Sequence, residues 1–148
     1  MSSKELFRIL SHNTKETESA GALLASIVNS EDCFVALCGE LGAGKTAFTR
    51  GFVSILVPGA EVTSPSYSVI NVYENERCRI RHADVYRLTS DDDLYSCGFY
   101  DYDEGVTLVE WCDRMPYILP KEYYKVRIEK RDGIDPDLRM IVITKEYQ

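Results

Sequence analysis

The sequence predicts an α/β fold in which helices flank a mixed central sheet in three layers. The first observation is an almost wholly apolar run at 33–38, which suits a strand that is covered on both faces. The second is that a glycine-rich loop and a helical pattern follow this run directly. The third is that later apolar segments alternate with polar turns, so that strands and helices are mixed along the chain.

Two helices are predicted around the apolar run, and a third later in the chain. Residues 14–29 begin with a polar cluster, and their apolar residues then recur at helical spacing. A second helix is predicted over 45–56, because Pro58-Gly59 is typical of a helix end. A short helix is predicted over 91–97, where Ser90 or Asp91 can cap the N-terminus.

Five strands are predicted after the second helix. Residues 67–73 and 78–85 flank a short turn and are expected to form an antiparallel hairpin. Residues 106–111 form an apolar strand with Glu110 near its end. Two late strands, at 123–130 and 138–144, are separated by a turn-rich segment. The resulting order predicts a mixed sheet with helices packed on it.

Length and composition are typical of one ordinary globular domain. The chain has 148 residues, of which 45% are hydrophobic and 28% are charged. We therefore expect a single domain over residues 1–148. The 17 basic and 24 acidic residues give a formal net charge of −7, which is unfavourable for binding nucleic acid phosphates directly.

Membrane and metal-cluster functions are not expected. No apolar stretch reaches the roughly 18–20 residues that a membrane-spanning helix needs, and the N-terminal residues lack the apolar segment of a signal peptide. The five cysteines include no C-x-x-C pair, and two histidines are too few for a metal cluster. We expect a cytoplasmic protein without membrane contact, whose cysteines are reduced and buried.

Residues 39–46 match the phosphate-binding pattern G-x-x-x-x-G-K-[ST]. The glycines let backbone N–H groups turn toward an anion, and the positive end of the following helix points at the same place. Lys45 is expected to reach the β- and γ-phosphates, and the Thr46 hydroxyl to bind Mg²⁺. The sequence thus predicts a P-loop NTPase-like fold. The expected nucleotide-binding residues in this segment are Glu40, Leu41, Gly42, Ala43, Gly44, Lys45, Thr46 and Ala47.

Two carboxylates near strand ends are candidates for the rest of this site. Glu110 occupies the position of a Walker-B carboxylate, although Asp is the usual residue there. Asp84 lies near the end of the strand before it and is a candidate for positioning the attacking water. Each could also be a solvated acid, but the phosphate loop favours the functional interpretation. The three acids at 91–93 are interpreted as a helix cap.

Other features leave alternatives open. His82 should share a strand face with Asp84, and we favour an orienting role over proton transfer. Trp111 could pack in the core or line a nucleotide or partner surface, and core packing is slightly favoured. Residues 64–67 could be an ordinary loop or a segment that senses the γ-phosphate.

Taken together, these motifs resemble the TsaE (YjeE) family of bacterial ATPases. The similarity is carried by the phosphate loop, Ser64-Pro65-Ser66-Tyr67, His82-Ala83-Asp84-Val85-Tyr86-Arg87 and Val109-Glu110-Trp111. It implies a slow Mg²⁺-dependent ATPase required for N6-threonylcarbamoyladenosine in tRNAs that read codons beginning with A. It also implies that the chain acts with the TsaB–TsaD complex, resets that complex between turnovers, and meets tRNA only indirectly.

The resemblance further implies roles for individual residues. Lys45 and Asp84 would be catalytic, with Asp84 near the γ-phosphate of ATP, while Thr46 and Glu110 would hold Mg²⁺. Thr17 matches a threonine that contacts the nucleotide in the family. The residues with an implied switching or supporting role are Ser64, Pro65, Ser66, Tyr67, His82, Tyr86, Arg87 and Trp111.

Some positions match the family less closely. Arg139 matches a late family arginine whose purpose is unassigned. Glu40 stands where Asp is common, and Ser66 replaces Thr but keeps the hydroxyl. None of these differences removes a phosphate-binding or metal-binding group.

Two functions from other classes stay open. A small P-loop kinase would need an acceptor pocket and usually an arginine-bearing lid, whereas residues 98–104 are acidic and aromatic and include no arginine. A nucleotide-controlled binding module would bind ATP without releasing phosphate, and the ten tyrosines of the chain would suit its interfaces.

Overall fold

The structure is a computed structural model that describes residues 1–28, 32–40, 42–66, 68–101, 104–131, 133 and 135–148. The strands in these residues are β1 (Ser2–Ser11), β2 (Cys33–Cys38), β3 (Ile70–Glu74), β4 (Arg79–Asp84), β5 (Val106–Glu110), β6 (Glu122–Lys130) and β7 (Arg139–Tyr147). The helices are α1 (Thr14–Val28), α2 (Lys45–Leu56) and α3 (Asp91–Ser96). Two short 3₁₀ turns, Cys112–Arg114 and Pro116–Ile118, follow β5.

One mixed sheet contains these strands in the order β1-β7-β6-β2-β5-β4-β3. The four central strands β6, β2, β5 and β4 run parallel to one another. β3 pairs antiparallel with β4, and β7 pairs antiparallel with both β6 and β1. Because the carboxyl ends of parallel strands meet at one edge of a sheet, the segments that follow β2, β4 and β5 lie together.

Helices α1 and α2 cover one face of the sheet. Their apolar residues, including Leu24, Phe48 and Phe52, are fully buried against Leu37 and Leu108 of the central strands. The other face of the central strands is covered by α3 and the 3₁₀ turns, which contribute Leu94, Cys112 and Met115 to a second buried cluster. The predicted α/β fold, with a mixed sheet between helices, is confirmed.

Helix α3 shows how the polar residues before it fix its start. The Ser90 hydroxyl accepts a hydrogen bond from the Asp93 N–H, and the Asp93 carboxylate accepts one from the Thr89 N–H in return. The hydrogen bond from the Thr89 N–H holds the pKa of Asp93 below its usual range, because it favours the charged carboxylate. The predicted helix cap at Ser90 is confirmed.

The structure adds one strand to the prediction and changes the bounds of others. β1 was not predicted, since its alternation of polar and apolar residues is weak and its pairing with β7 is remote in sequence. β3 begins at Ile70, because the preceding Val69 has a φ of 71°, which strand geometry excludes. β5 ends at Glu110, because Trp111 is also left-handed, with a φ of 68°. Residue Tyr67, where β3 was expected to begin, lies outside the described residues.

The expectation that the cysteines are buried holds only in part. None of the five cysteines forms a disulfide; Cys78 and Cys112 are buried, while the other three are half-buried. Within the described ranges, no helix is long and apolar enough to cross a membrane.

Candidate functional site

The predicted site residues converge at the carboxyl edge of the parallel strands. In the sheet register, Glu110 of β5 lies opposite Leu37 of β2 on one side and Asp84 of β4 on the other. A cavity of about 480 Å³, here called the loop cavity, opens at this point. Its lining residues are Gly42, Gly44, Lys45, Thr46, Ser64, Ser66, Asp84, Tyr86, Arg87, Glu110 and Trp111.

Glycines shape the phosphate loop between β2 and α2. Gly42 and Gly44 have φ values of 78° and 117°, in the left-handed region that side chains rarely adopt. The Ala43 N–H donates to the Glu40 carbonyl at 3.1 Å, which folds the loop tightly. Gly44 is the N-cap of α2 and has no side chain to cap the helix, so the first N–H groups stay available to an anion.

Lys45 is a nearly buried cation at the floor of the loop cavity. Its side chain is 7% exposed, and Nζ donates a hydrogen bond to the Gly39 carbonyl at 2.7 Å. The same nitrogen lies 3.7 Å from Oε1 of Glu110 and 4.2 Å from the centroid of the Trp111 ring. A carboxylate and an aromatic face therefore compensate the buried charge.

His82 and Glu110 form a buried pair beneath the cavity. His82 Nε2 lies 2.6 Å from Oε2 of Glu110, and the imidazole is fully buried. In the described part of the chain, Nδ1 of His82 has no hydrogen-bond partner. A neutral ring with its proton on Nε2 donates to Glu110 and leaves no buried N–H unpaired. The contact fixes the orientation of the Glu110 carboxylate.

Three oxygen-bearing side chains of the loop cavity match the preferences of Mg²⁺. The hydroxyl of Thr46 and the carboxylates of Asp84 and Glu110 all border it. Asp84 is oriented by the Tyr86 N–H, which donates to Oδ1 at 2.9 Å. No group of three His, Cys, Asp or Glu side chains able to hold a metal occurs among the described residues. A site completed by phosphate oxygens needs no such group, so the donor set fits Mg²⁺ bound together with a nucleotide.

Aromatic and cationic side chains form the mouth of the loop cavity. Trp111 is half-buried and meets Tyr86 edge to face, with ring centroids 5.0 Å apart. The guanidinium of Arg114 lies over the Tyr86 ring, 4.6 Å from its centroid. Trp111 also packs against the second core cluster. It therefore contributes to the core and borders the loop cavity at the same time. Arg87, for which the family resemblance implies a switching or supporting role, borders the same cavity.

The segment after α2 lies on the opposite wall. The Ser64 and Ser66 hydroxyls are 2.8 Å apart and both border the loop cavity. Between them Pro65 is buried, and its carbonyl accepts a hydrogen bond from the Val69 N–H at 2.8 Å. Two predicted residues of the site, Leu41 and Tyr67, lie outside the described residues.

Thr17 supports the loop from below. It is 3% exposed, and its hydroxyl is 2.8 Å from that of Ser11. A methyl group placed on Gly44 would lie 3.5 Å from the Thr17 side chain. Thr17 is not among the described lining residues of the loop cavity, and neither are Glu40, which is exposed, or Ala47.

Comparison with known proteins identifies the family. A family model described as "Threonylcarbamoyl adenosine biosynthesis protein TsaE" matches residues 11–138. The chain belongs to the TsaE family. The family is involved in the biosynthesis of threonylcarbamoyladenosine in tRNA, and the resemblance given by the sequence motifs is thereby confirmed.

Individual TsaE proteins are similar over most of their length. The Bacillus subtilis protein is 30% identical over 136 residues, which cover 92% of this chain and 85% of the relative. The Treponema pallidum protein is 35% identical over 126 residues, covering 84% and 90%. A crystal structure of YdiB from Bacillus subtilis superimposes with a TM-score of 0.75 at 31% identity, covering 97% of this chain and 87% of that one.

Two cations near the site of this TsaE-family chain were not predicted as part of it. Arg114 stacks on Tyr86. The Lys130 ammonium lies beside Gly42, 3.4 Å from the position that a methyl group on this glycine would take. Arg114 follows Trp111 closely in sequence, which is a signal that could have been used. Lys130 reaches the loop only through the pairing of β6 with β2, which no local pattern reveals.

Proposed function

We propose that this chain is a Mg²⁺-dependent ATPase that acts with the TsaB–TsaD complex and resets it between rounds of tRNA modification. The single observation that carries the proposal is the loop cavity itself. The phosphate loop faces two strand-end carboxylates, Asp84 and Glu110, across one cavity. This is the set of groups that phosphoryl transfer to water requires.

ATP would lie along the phosphate loop with its γ-phosphate toward Asp84 and Glu110. Lys45 would exchange the Gly39 carbonyl and Glu110 for oxygens of the β- and γ-phosphates. Thr46 and Glu110 would hold Mg²⁺, which neutralises charge on the transferring phosphoryl group when it is bound. Asp84 would position the attacking water, and its contact with the Tyr86 N–H holds the carboxylate in place.

Release of Lys45 from Glu110 links nucleotide binding to metal binding. While Nζ lies 3.7 Å from Oε1, it neutralises the carboxylate that the metal needs. If the lysine turned to a phosphate, Oε1 would be free to hold Mg²⁺, while His82 would still contact Oε2. His82 would therefore act by orienting Glu110, not by transferring a proton to substrate.

Partner contact would use an exposed aromatic and acidic surface. Tyr95 and Tyr117 are 63% and 60% exposed, and the rings of Tyr95 and Tyr100 are 4.5 Å apart. The Tyr100 hydroxyl donates to the Asp91 carboxylate at 2.6 Å. Tyrosine is favoured at protein interfaces, and the acidic chain would complement a basic tRNA-binding surface on its partners. Contact of this chain with tRNA would then be indirect.

Phosphate release from ATP, measured with and without purified TsaB–TsaD, tests the proposal. We expect slow release alone and strong stimulation by the complex. Lys45→Ala should lose tight ATP binding, whereas Asp84→Asn should keep ATP binding and lose turnover. Glu76→Gln, in the exposed turn between β3 and β4, is the control for removal of an acidic charge. Transfer of phosphate to an added metabolite would support the kinase alternative, and ATP binding without phosphate release would support a binding module.

A further inference from the structure

Arg139 holds the phosphate loop from outside the loop cavity. Its Nε donates to the Ala43 carbonyl at 2.9 Å, and Nη2 donates to the Gly42 carbonyl at 3.4 Å. On the other side of the same guanidinium, Nη1 donates to the carbonyls of Pro136 at 2.7 Å and Leu138 at 3.1 Å. One side chain at the start of β7 thus connects the loop to the turn before that strand.

The contact with Ala43 constrains the direction of the next N–H group. The Ala43 carbonyl and the Gly44 N–H belong to one planar trans peptide, so they point in opposite directions. With its oxygen held by Arg139, this peptide turns the Gly44 N–H away from Arg139. Gly44 borders the loop cavity and Arg139 is not among the described residues that line it. The N–H is therefore directed toward the place where an anion would bind.

Such a constraint matters because one of the two dihedrals beside this peptide belongs to a glycine. Gly44 has a φ of 117° and no side chain that restricts this dihedral, so a contact on the Ala43 carbonyl helps to set the orientation of the peptide. A planar guanidinium with several fixed donors can hold two consecutive carbonyls, which a lysine ammonium cannot do with the same geometry.

Lys130 lies beside Arg139 and supplies positive charge near the same loop. In the β6–β7 pairing, Lys130 lies directly opposite Arg139. Its ammonium approaches the same loop, beside Gly42. Positive charge is thus already supplied at this end of the hairpin by a lysine. What Arg139 adds is the fork of donors on the loop carbonyls.

We propose that Arg139 is a positioning residue that sets the Gly44 N–H for the phosphates of the nucleotide. The inference rests on the proposed binding of ATP at the phosphate loop, and it assigns a role to an arginine whose purpose the sequence left open. Arg139 is not among the described residues that line the loop cavity, so it would act through the Ala43–Gly44 peptide and not by touching the nucleotide.

The test uses Arg139→Lys, which keeps the charge and removes the fork, and Arg139→Gln, which keeps a donor and removes the charge. Arg8→Lys is the matched control, because Arg8 is an exposed strand arginine whose guanidinium binds Glu5. Dissociation constants of ATP and ADP are measured by calorimetry on the full chain. The Gly44 amide resonance is followed by NMR during titration with inorganic pyrophosphate, and thermal unfolding shows that each variant is folded.

We expect both dissociation constants to rise about tenfold in Arg139→Lys, since a charge-assisted hydrogen-bond network that orients one phosphate donor is lost. The Gly44 resonance should shift before pyrophosphate is added and respond less to it, a change that loss of stability alone does not produce. Arg8→Lys should match the unaltered chain.

Two outcomes would overturn the inference in different ways. If the unaltered chain binds ATP and Arg139→Lys has the same affinities and the same Gly44 shifts, the positioning role is wrong while ATP binding stands. If the unaltered chain binds neither ATP nor ADP, the proposed function is wrong and the inference with it.

Discussion

At the scale of single residues, Glu110 contacts both the lysine of the phosphate loop and a buried histidine beneath the cavity. Its two oxygens face different partners, His82 on one side and Lys45 on the other. The side chain is almost buried, so an unpaired charge there would be costly. The sequence predicted Glu110 and Lys45 from motifs. The contact between His82 and Glu110 depends on the parallel register of β4 and β5, which motifs do not contain.

His82→Gln should weaken the binding of Mg²⁺, and so raise the Mg²⁺ concentration that activity requires, without affecting ATP binding in the absence of the metal. Groups that orient a metal ligand typically contribute about 10–100-fold to metal affinity or activity. We therefore expect a loss in this range in phosphate release, partly recovered at high Mg²⁺ concentration. The chain offers a matched control in His12→Gln, since His12 is exposed and its imidazole contacts the carboxylate of Glu16. An unchanged Mg²⁺ dependence in His82→Gln would contradict the orienting role.

Cys112 makes stability depend on alkaline pH. Burial raises the pKa of the Cys112 thiol above its usual value of 9.0, because the apolar surroundings disfavour the thiolate. Above pH 9 the unfolded chain loses this proton while the folded chain retains it, so the free energy of unfolding decreases as the pH rises. Below that pH both states carry the proton and the residue contributes no pH dependence.

Cys112→Ala should accordingly flatten the alkaline decline of the melting temperature. Thermal unfolding is measured from neutral pH to about two pH units above the ordinary thiol pKa. Cys97→Ala, at a half-buried thiol just after α3, is the control for removal of a thiol as such. Equal slopes of melting temperature against pH in Cys112→Ala and in the unaltered chain would show that Cys112 does not cause the dependence.

At the scale of elements, the crossing of α1 and α2 holds the phosphate loop on the sheet. Two glycines allow the helix backbones to approach closely. A methyl group on Gly21 would lie 1.9 Å from the Phe48 carbonyl oxygen, and one on Gly51 would lie 1.8 Å from that of Glu18. Glycine normally weakens a helix, so a sequence pattern presents Gly51 as an unfavourable residue in α2. The structure shows that the close approach requires it.

Gly51→Ala should destabilise the protein by about 1–3 kcal/mol, although alanine favours helix formation. The added methyl group meets backbone atoms, which cannot move aside as a flexible side chain can. Urea unfolding monitored by circular dichroism measures the change. Gly133→Ala is the control, because a methyl group there would have no described atom within 4 Å apart from its chain neighbours. A gain in stability in Gly51→Ala would mean that the two helices are separated more widely than described.

Elements with strong local patterns were predicted well, and those defined by remote pairing were not. The bounds of β2 and α2 were predicted correctly, because an apolar run, a glycine loop and a helix end all lie within one short segment. β1 was missed, since only its ladder with β7 at the other end of the chain makes Ser2–Ser11 a strand. Arg139 reaches the loop through the same β7, which is why its role could not be read from the motifs.

At the scale of the whole molecule, negative charge and exposed tyrosines bear on how the chain would meet its partners. The net charge of −7 is spread over a chain whose site is built from backbone N–H groups and a few cations. Association with a basic surface would be accelerated by this charge and weakened by salt, because mobile ions screen the attraction. Aromatic contacts, in contrast, depend little on ionic strength.

Binding to TsaB–TsaD should therefore weaken as the salt concentration rises, and Tyr117→Ala should weaken it at every salt concentration. Surface-tyrosine truncations at an interface commonly cost about 1–2 kcal/mol, or roughly 5–30-fold in affinity. Tyr147→Ala is the matched control, since Tyr147 is also exposed but lies at the end of β7. Binding that does not respond to salt would exclude a basic surface as the partner of this acidic chain. Salt-sensitive binding with equal effects of Tyr117→Ala and Tyr147→Ala would place the interface away from α3 and the 3₁₀ turns.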